Sequence, residues 1–384
     1  MQISRRFPLF LTILVLAACA QPVKKAPEPV AVQAAPVPVA APIAPPVATP
    51  TPTPAPVDAV VVPPSPEKIE AFIAATEKSS GMPAAEIRAW LAQARYQQSI
   101  INAITRPAEG KSWKDYRPIF MNATRIDQGR TFYAENRSAV DAIATDRGVP
   151  AEIILAIMGV ETSYGRIMGN YRVLDALYTL AFYYPRREEF FRSELAHVFA
   201  LAREQRLDLA TLKGSYAGAM GWGQFMPSSY RNYGKDGDGD GRADLLGSRQ
   251  DAFASIANYF VGYGWHRGEP IFVPAVADAG AAPFVPENFE AKFTLADLAA
   301  RGYRPTEAGA PNLPVTLLTL EGANGPEYWI GYHNFWVITR YNRSPMYAMA
   351  VFQLSREIAA PALAPAPVSD AAPAPVATAP GSKP

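Results

Sequence analysis

The stretch AEIILAIMGVETSYG, residues 151–165, decides the fold, because an unbroken apolar run leads directly into a carboxylate. The run from Ile153 to Val160 predicts a helix that is buried on every side. Glu161 follows it, and its side chain is expected to lie one turn back, over Ile157 and Met158. Desolvation there raises the pKa of a glutamate, so it can hold a proton near neutral pH as a general acid must. The alternative is a helix-end glutamate that reaches water or an arginine such as Arg166.

Apolar periodicity on both sides of this stretch predicts further helices. They begin at about Glu67 and around Ile87, and continue over Arg125 to Arg147, 174–183, 187–205, 249–262 and Ser344 to Ile358. The stretch 311–342 differs, because β-rich segments flank the dipeptide Asn324-Gly325 and predict strands around a turn. We therefore expect a mainly α (α+β) fold, a body of helical lobes with a small β-sheet region.

Composition separates this body from both ends of the chain. Of 38 prolines, 16 fall in residues 1–66 and seven in 361–384. Residues 20–66 are dominated by Ala, Pro, Val and Thr, which favours an extended tether without a core, and residues 359–384 are expected to be a disordered tail of similar composition. The globular body is thus predicted over 67–358. Neither flank carries a recognition motif, so both are interpreted as spacers.

Overall charge and the scarcity of Cys and His exclude several classes of function. The 36 basic and 35 acidic residues balance, which disfavours binding to nucleic acid or to an anionic membrane surface. One cysteine rules out a disulfide framework, and three histidines make a multi-histidine metal site improbable.

The N-terminus carries the features of an export signal. Arg5 and Arg6 precede an apolar run, which predicts a signal peptide over residues 1–18. The segment Leu16 to Cys19 resembles a bacterial lipobox, which implies a lipid on Cys19. Because Ala20 rather than aspartate follows, the resemblance implies anchoring on the periplasmic side of the outer membrane. The alternative is a plain secretory signal that ends in a chance cysteine.

A glycine-rich segment from Gly214 to Pro227 contains aromatic, hydroxyl and amide side chains. It has no lysine for a phosphate-binding loop, and its glycine spacing is not that of a dinucleotide fingerprint. Ser215 and Gln224 can donate hydrogen bonds, and the aromatic faces can stack on sugar rings. By pattern alone, close packing between helices is the favoured explanation of the glycines.

Four motifs together resemble the membrane-bound lytic transglycosylase B family of peptidoglycan-cleaving enzymes. They are Val160 to Gly165, Tyr184 to Arg187, Gly214 to Pro227 and Ile338 to Ser344, and they occur in the same order within a match from about Glu67 to Ile358. The resemblance implies a lysozyme-like fold with one catalytic glutamate and a cleft for peptidoglycan strands.

The same resemblance assigns site residues. The catalytic position falls on Glu161. Glycan-binding positions fall on Tyr116, Arg186, Arg187, Ser215, Gln224, Phe225, Tyr259, Asn334 and Tyr341. Phe190 departs from the family pattern, where tyrosine is expected. By pattern alone, Arg186 and Arg187 would be a solvated helix start.

An acidic loop follows, with calcium-loop spacing. Asp236, Asp238 and Asp240 occupy positions one, three and five, and the carbonyl of Arg242 occupies position seven. Position twelve is a glycine, so Asp251, an aspartate that the resembled family also uses, is the expected substitute. We predict a structural calcium ion here and no cofactor for catalysis. The alternative is a solvated acidic turn, although its aspartates would repel without a cation.

No second carboxylate is placed by motif near Glu161, whereas glycoside hydrolases ordinarily use two. We therefore expect a lytic transglycosylase that cleaves the β-1,4 bond between MurNAc and GlcNAc and leaves 1,6-anhydroMurNAc ends, for cell-wall remodelling and turnover. One alternative is a hydrolytic muramidase that uses Glu188, Glu189 or Asp175. The other is a catalytically silent, tethered peptidoglycan-binding scaffold. Cell-wall synthesis proteins are candidate partners.

Overall fold

The buried helix predicted before Glu161 forms as the centre of the body. The computed structural model describes residues 63–105 and 111–360, all within one compact unit. The predictions of a signal peptide, of lipidation at Cys19, of a tether and of a disordered tail lie outside the described residues, apart from a few at their borders. The central helix runs from Ala151 to Thr162, and its side chains from Ile153 to Met158 are buried.

The described residues are mostly helical. The helices are α1 (Pro66–Ser80), α2 (Ala84–Gln93), α3 (Gln98–Ile104), α4 (Trp113–Phe120), α5 (Ala123–Arg147), α6 (Ala151–Thr162), α7 (Val173–Tyr183), α8 (Glu188–Glu204), α9 (Pro227–Tyr233), α10 (Arg249–Gly262), α11 (Leu295–Ala300), α12 (His333–Tyr341) and α13 (Pro345–Ala359). The helices predicted over 125–147, 174–183, 187–205, 249–262 and 344–358 agree with α5, α7, α8, α10 and α13 within two residues. None of the helices in these residues combines the length and apolarity needed to span a bilayer.

Side-chain caps explain why several helices begin where they do. The Asn122 side chain accepts from the amide of Arg125 at the start of α5, and Ser248 does the same for Asp251 at the start of α10. At its other end α5 terminates at Gly148, whose φ of 73° closes the helix in the left-handed conformation. The glycine that follows Arg147 thus ends the helix at the residue where the apolar periodicity predicts its end.

The strands form two small antiparallel sheets. They are β1 (Tyr171–Arg172), β2 (Lys213–Gly214), β3 (Phe272–Ala277), β4 (Tyr303–Pro305), β5 (Thr316–Gly322) and β6 (Gly325–Gly331). β1 pairs with β2, and the other four are ordered β4-β3-β6-β5 with their own small apolar core. The predicted hairpin forms from β5 and β6, with Gly322 paired to Gly325 across the turn. The small β-sheet region is confirmed.

One part of the predicted β stretch is helical. Residues 333–341, within the range 311–342, form α12, because Phe335, Val337 and Ile338 all turn into the main core. Aromatic and β-branched residues favour strands by composition, but the packing surface decides between strand and helix.

The helices around α6 hold the site. α6 packs against α5, α10 and α13, so its last turn is enclosed by three helices. The β1-β2 ladder then joins the residues that follow α6 to the start of the glycine-rich segment, through the pair of Tyr171 with Gly214. The fold thus places two of the motifs identified in the sequence next to each other.

Candidate active site

Glu161 sits in the last turn of α6, with its carboxyl group enclosed by protein. Burial raises the pKa of this carboxyl from 4.5 to about 7. A hydrogen bond from the hydroxyl of Tyr347 on α13 to Glu161 Oε1, 2.6 Å long, acts in the opposite direction and limits the rise. At neutral pH the group therefore exists in comparable protonated and ionised populations, which suits a residue that both gives and takes a proton.

The backbone turns sharply directly after this carboxylate. Ser163, Tyr164 and Gly165 adopt φ values of 50°, 58° and 81°, three left-handed residues in succession. Two of them are not glycine, so the turn is strained and needs outside support. The hydroxyl of Thr162 provides part of it by accepting from the Gly165 amide at 2.9 Å. The position of Glu161 thus depends on how this turn is held.

The glycine-rich segment folds back on itself beside this turn. Met220 and Phe225 pair with each other, which forces Gln224 between them to a φ of 49°. The Gln224 amide nitrogen donates to the carbonyls of Met168 and Gly221. The Ser215 hydroxyl accepts from two amides of its own turn, which leaves its proton available to a ligand oxygen.

Aromatic rings connect this segment to the Glu161 carboxyl. The Tyr341 ring lies 5.8 Å from Phe225 and 4.8 Å from Tyr259, measured between centroids, and its hydroxyl donates to the carbonyl of Gly223. Burial, and then the charge of Glu161, raise the pKa of Tyr341 well above its usual value. The predicted positions Phe225, Tyr259 and Tyr341 therefore form one cluster at Glu161.

Tyr116 joins the site from α4. Its ring packs 5.1 Å from the Phe120 ring, measured between centroids. The pKa of Tyr347 is raised mainly by burial and by the charge of Glu161, and nearby Tyr116 makes a smaller contribution in the same direction. Helix α4 thus places the phenol of Tyr116 near Tyr347, the residue that donates a hydrogen bond to Glu161.

The two predicted arginines differ in their surroundings. Arg186 is exposed, whereas Arg187 is half-buried with its guanidinium 4.2 Å from the Phe190 ring centroid. Burial lowers the pKa of Arg187, and the buried carboxylate of Glu194 contributes in the opposite direction. Phenylalanine at 190 thus supplies a ring face for Arg187 where the family pattern has tyrosine.

Asn334 is placed differently from the other predicted residues. It is fully buried near the start of α12, accepts from the His266 amide, and donates to the carbonyls of His266 and Glu269. Its amide group is therefore engaged in holding the connection between α10 and β3. A glycan contact by Asn334 stays a prediction.

Within the described residues, the other candidate carboxylates either pair with basic side chains or face solvent. Asp175 accepts from the Arg95 amide and pairs with Arg172, and Glu188 pairs with Lys68 and Arg192. Glu189 is exposed at the start of α8. None of the three is among the groups that set the pKa of Glu161, which are burial and Tyr347.

The acidic loop brings three of its predicted ligands together. Oxygen atoms of Asp236, Asp238 and Asp251 lie within 4.8 Å of one another. Asp251 is fully buried and also accepts from the amides of Gly237 and Asp244. Carboxylate and carbonyl oxygens at such spacing are the ligand set that calcium prefers. The arrangement fits the replacement of the missing position-twelve glutamate by Asp251.

Two residues of the site were not predicted from the sequence. Tyr347 lies in a helix that reads as core, and no spacing relative to Glu161 marks it. Trp222 lies in the glycine-rich segment, where its aromatic ring suggested stacking on sugar, but it contacts the turn after Glu161 instead.

Comparison with known proteins gives consistent results. A profile for the transglycosylase SLT domain matches residues 65–356. The membrane-bound lytic murein transglycosylase B of Escherichia coli strain K12 is 40% identical over 300 residues, which is 76% of this chain and 82% of that protein. The lytic transglycosylase SltB1 of Pseudomonas aeruginosa is 46% identical with a TM-score of 0.73, over 77% of this chain and 97% of that one. E. coli Slt35 in complex with calcium is 40% identical with a TM-score of 0.70, over 76% and 92%.

Proposed function

The chain belongs to the transglycosylase SLT domain family, and from that premise we propose that Glu161 alone serves as acid and base in its reaction. The protein is a peptidoglycan lytic transglycosylase with the lysozyme-like fold of that group. It cleaves the β-1,4 bond between MurNAc and GlcNAc and leaves 1,6-anhydroMurNAc ends. The observation that supports the single-residue assignment is that, among the described residues, Asp175 and Glu188 pair with basic side chains and Glu189 faces solvent, whereas the Glu161 carboxyl is bonded by Tyr347.

The first half of the reaction uses the protonated form. Tyr347 donates to Oε1 of Glu161, so the carboxyl proton resides on Oε2 and is transferred to the bridging oxygen of the glycosidic bond. The C1–O bond breaks and its electron pair leaves with the GlcNAc alcohol. The oxocarbenium-like charge at C1 is met by the acetamido group of the same MurNAc.

The second half uses the ionised form that the first half has produced. The Glu161 carboxylate takes the proton of the MurNAc 6-hydroxyl, and that oxygen closes on C1. The proton count is restored and no water is consumed, so one carboxylate suffices. The ring closure is intramolecular, which gives the 6-hydroxyl a high effective concentration against solvent.

The polar and aromatic cluster beside Glu161 supports a glycan-binding role for the predicted residues. The Ser215 hydroxyl and the faces of Phe225 and Tyr341 offer the hydrogen bonds and apolar area that sugar rings require. Arg186 and Arg187 are suited to the carboxylates of stem peptides. We assign to Tyr116, Gln224 and Tyr259 the role of shaping the glycan-binding surface beside Glu161.

A hydrolytic muramidase is less well supported. An inverting hydrolase needs a second carboxylate about 6.5–9.5 Å from the first, and a retaining one about 5–5.5 Å away. Asp175 and Glu188 are neutralised by arginine and lysine partners, and Glu189 faces solvent. The sugar ends of muropeptides released from purified sacculi distinguish the two reactions, because hydrolysis leaves reducing MurNAc.

The acidic loop is assigned a structural calcium ion. Asp236, Asp238 and Asp251, whose oxygens lie together, would hold it, and E. coli Slt35 was solved with calcium. Asp240 and the carbonyl of Arg242 are the further ligands that the loop spacing predicts. When bound, the ion supplies charge neutralisation to the loop and takes no part in proton transfer.

Calcium should raise the melting temperature of the protein. A ligand that binds only the folded form at a hundred times its Kd stabilises by about 2.7 kcal/mol. We expect a higher Tm in millimolar calcium than in chelator, by thermal shift or calorimetry. Asp238→Asn should lose most of this difference, while Asp278→Asn, an exposed aspartate of the sheet region, should keep it. Equal wild-type Tm values in calcium and chelator would refute the assignment.

We further propose that the chain is a lipoprotein of the outer membrane. The proposal rests on the lipobox-like sequence that ends in Cys19, and the membrane-bound relative in E. coli supports it. The proline-rich residues 20–66 would then act as the tether between the lipid and the body.

Cys19→Ala should release a soluble periplasmic protein that still cleaves isolated sacculi. Within the described residues the Glu161 carboxyl is held by Tyr347 of the globular body, so only localisation should change. Fractionation of cells measures this, and Ala20→Asp is the matched control, since it keeps the lipid but should redirect the protein to the inner membrane. A Cys19→Ala protein that stays with the outer membrane would exclude the anchor.

A further inference from the structure

Trp222 is bonded to two separate parts of the molecule. Its amide donates to the carbonyl of Leu245 and its indole Nε1 donates to the carbonyl of Leu246, each at 3.1 Å. Its own carbonyl accepts from the Thr162 hydroxyl at 2.9 Å. One residue of the glycine-rich segment therefore bridges the residue after Glu161 and the end of the acidic loop.

The indole ring also fills the space beside the strained turn. A Cβ at Gly165 would overlap the six-membered ring of Trp222, so the turn and the ring are in direct contact. The ring is held on its other side by Phe132, at 6.0 Å between centroids, and by the Arg249 guanidinium at 5.7 Å. Relaxation of the turn would require the indole to move.

The far end of the bridge is fixed by the acidic loop. Asp251 accepts from the Asp244 amide at 2.6 Å, and Asp244 Oδ1 accepts from the amide of Leu246. The carbonyls that hold Trp222 are thus positioned by the same carboxylate that gathers Asp236 and Asp238. In the sequence the loop and Glu161 are far apart, but Thr162 and Trp222 link them through this chain of hydrogen bonds.

We propose that Trp222 is a positioning residue that holds the turn after Glu161 against the end of the acidic loop. The proposal rests on Glu161 being the catalytic group. Trp222 does not exchange a proton with the substrate; it fixes the last turn of α6, so that the carboxyl keeps the orientation that both proton transfers need. Order in the acidic loop is passed to Glu161 by the same contacts.

Trp222→Phe tests the proposal, because phenylalanine keeps an aromatic ring at position 222 but loses the indole N–H and the outer ring atoms that lie against Gly165. Removal of a neutral hydrogen bond at a strained site should lower kcat roughly 3- to 10-fold. KM should stay within about twofold, since the expected defect lies in orientation rather than in binding. Trp329→Phe is the matched control, an indole of β6 that packs on Phe272 of β3 and on Phe352 of α13.

Hydrogen exchange gives a readout that does not depend on activity. The amides of Gly165 and Ile167 both bond to Thr162, so peptides covering 163–167 should exchange faster in Trp222→Phe and unchanged in Trp329→Phe. Thr162→Val should give the same result and Thr162→Ser should restore protection. Adding calcium should slow exchange at 163–167 less in Trp222→Phe than in the wild type, because the variant keeps the two backbone bonds of residue 222 but loses the indole bond.

The outcomes distinguish a failure of the positioning role of Trp222 from a failure of the catalytic assignment of Glu161. Activity in Glu161→Gln would remove the catalytic assignment whatever Trp222 does. If Glu161→Gln is inactive but Trp222→Phe matches Trp329→Phe in kcat and in exchange at 163–167, the positioning role is wrong. Calcium that slows exchange equally in wild type and Trp222→Phe would show that the loop reaches the turn by another route.

Discussion

Glu161→Gln is expected to abolish product release while leaving glycan binding intact. Glutamine keeps the size of the side chain and can still accept the hydrogen bond from Tyr347, but it can neither give nor take the proton. Loss of general acid–base help costs about 10²–10⁴-fold, and both halves of this reaction lose it. Muropeptide release from sacculi, followed by chromatography, should therefore fall by the upper end of that range or more.

A stability measurement shows that the loss is not a folding defect. The folded-state pKa of Glu161 is raised to about 7 from 4.5, so its protonated form favours folding below pH 4.5 and this advantage disappears as pH rises through 7. The uncharged glutamine avoids the cost of a buried charge. At pH 8 the free energy of unfolding of Glu161→Gln should thus exceed that of wild type by up to about 3 kcal/mol, and its Tm should be higher. At pH 4.5 the two proteins should be similarly stable.

Glu204→Gln, which alters a surface pair with Arg231, is the matched control for both measurements. It should change neither product release nor the pH dependence of melting. Substantial turnover by Glu161→Gln, with this control behaving as expected, would contradict the single acid–base assignment.

Tyr347→Phe should produce the second-largest effect, a loss of kcat together with a displaced pH profile. The phenol donates to a carboxylate, and such charged hydrogen bonds contribute about 1.5–3 kcal/mol. Its removal leaves the ionised form of Glu161 without its partner, which corresponds to roughly 10- to 100-fold in rate. Phenylalanine preserves the packing of this buried side chain, so the Tm should change little.

The direction of the pH shift follows from the hydrogen bond. Tyr347 lowers the pKa of Glu161, so its removal raises that pKa further. The first step needs protonated Glu161, and activity is lost as pH rises through the pKa. The alkaline limb of the kcat profile should therefore move to higher pH in Tyr347→Phe. Tyr332→Phe is the control, because the Tyr332 hydroxyl accepts a hydrogen bond from the Ala310 amide in the sheet region; this variant should leave the alkaline limb in place. An equal shift of the limb in both variants would contradict the role of Tyr347 at Glu161.

Local sequence signals were sufficient for much of the fold. α6 follows from its unbroken apolar run, α10 follows from apolar periodicity, and the β5-β6 hairpin follows from its turn. α12 could not be predicted, because aromatic and β-branched residues suit a strand as well as a helix, and only contact with the main core decides between them. β3 and β4 are short strands whose partners lie far away in the sequence, which local patterns do not record.

The candidate site likewise contains residues with a local sequence signal and residues whose roles depend on tertiary contacts. Glu161 could be predicted because its signal is local, a carboxylate that ends an apolar helix. Tyr347 acts from a different helix and resembles any buried aromatic residue, so its role depends on a contact between α6 and α13. The acidic loop could be identified from its spacing, but its link to Glu161 could not, because Trp222 makes that link through backbone carbonyls that carry no sequence signature.

The chemical identity of the new sugar end distinguishes one catalytic carboxylate from two. Purified sacculi are digested in water enriched in oxygen-18, and the released muropeptides are weighed by mass spectrometry. If Glu161 works alone, the products end in 1,6-anhydroMurNAc, lack one water relative to reducing ends, and contain no oxygen-18. Reducing MurNAc ends that carry oxygen-18 as the main product would show that water attacks C1, and the account of a single carboxylate would be wrong.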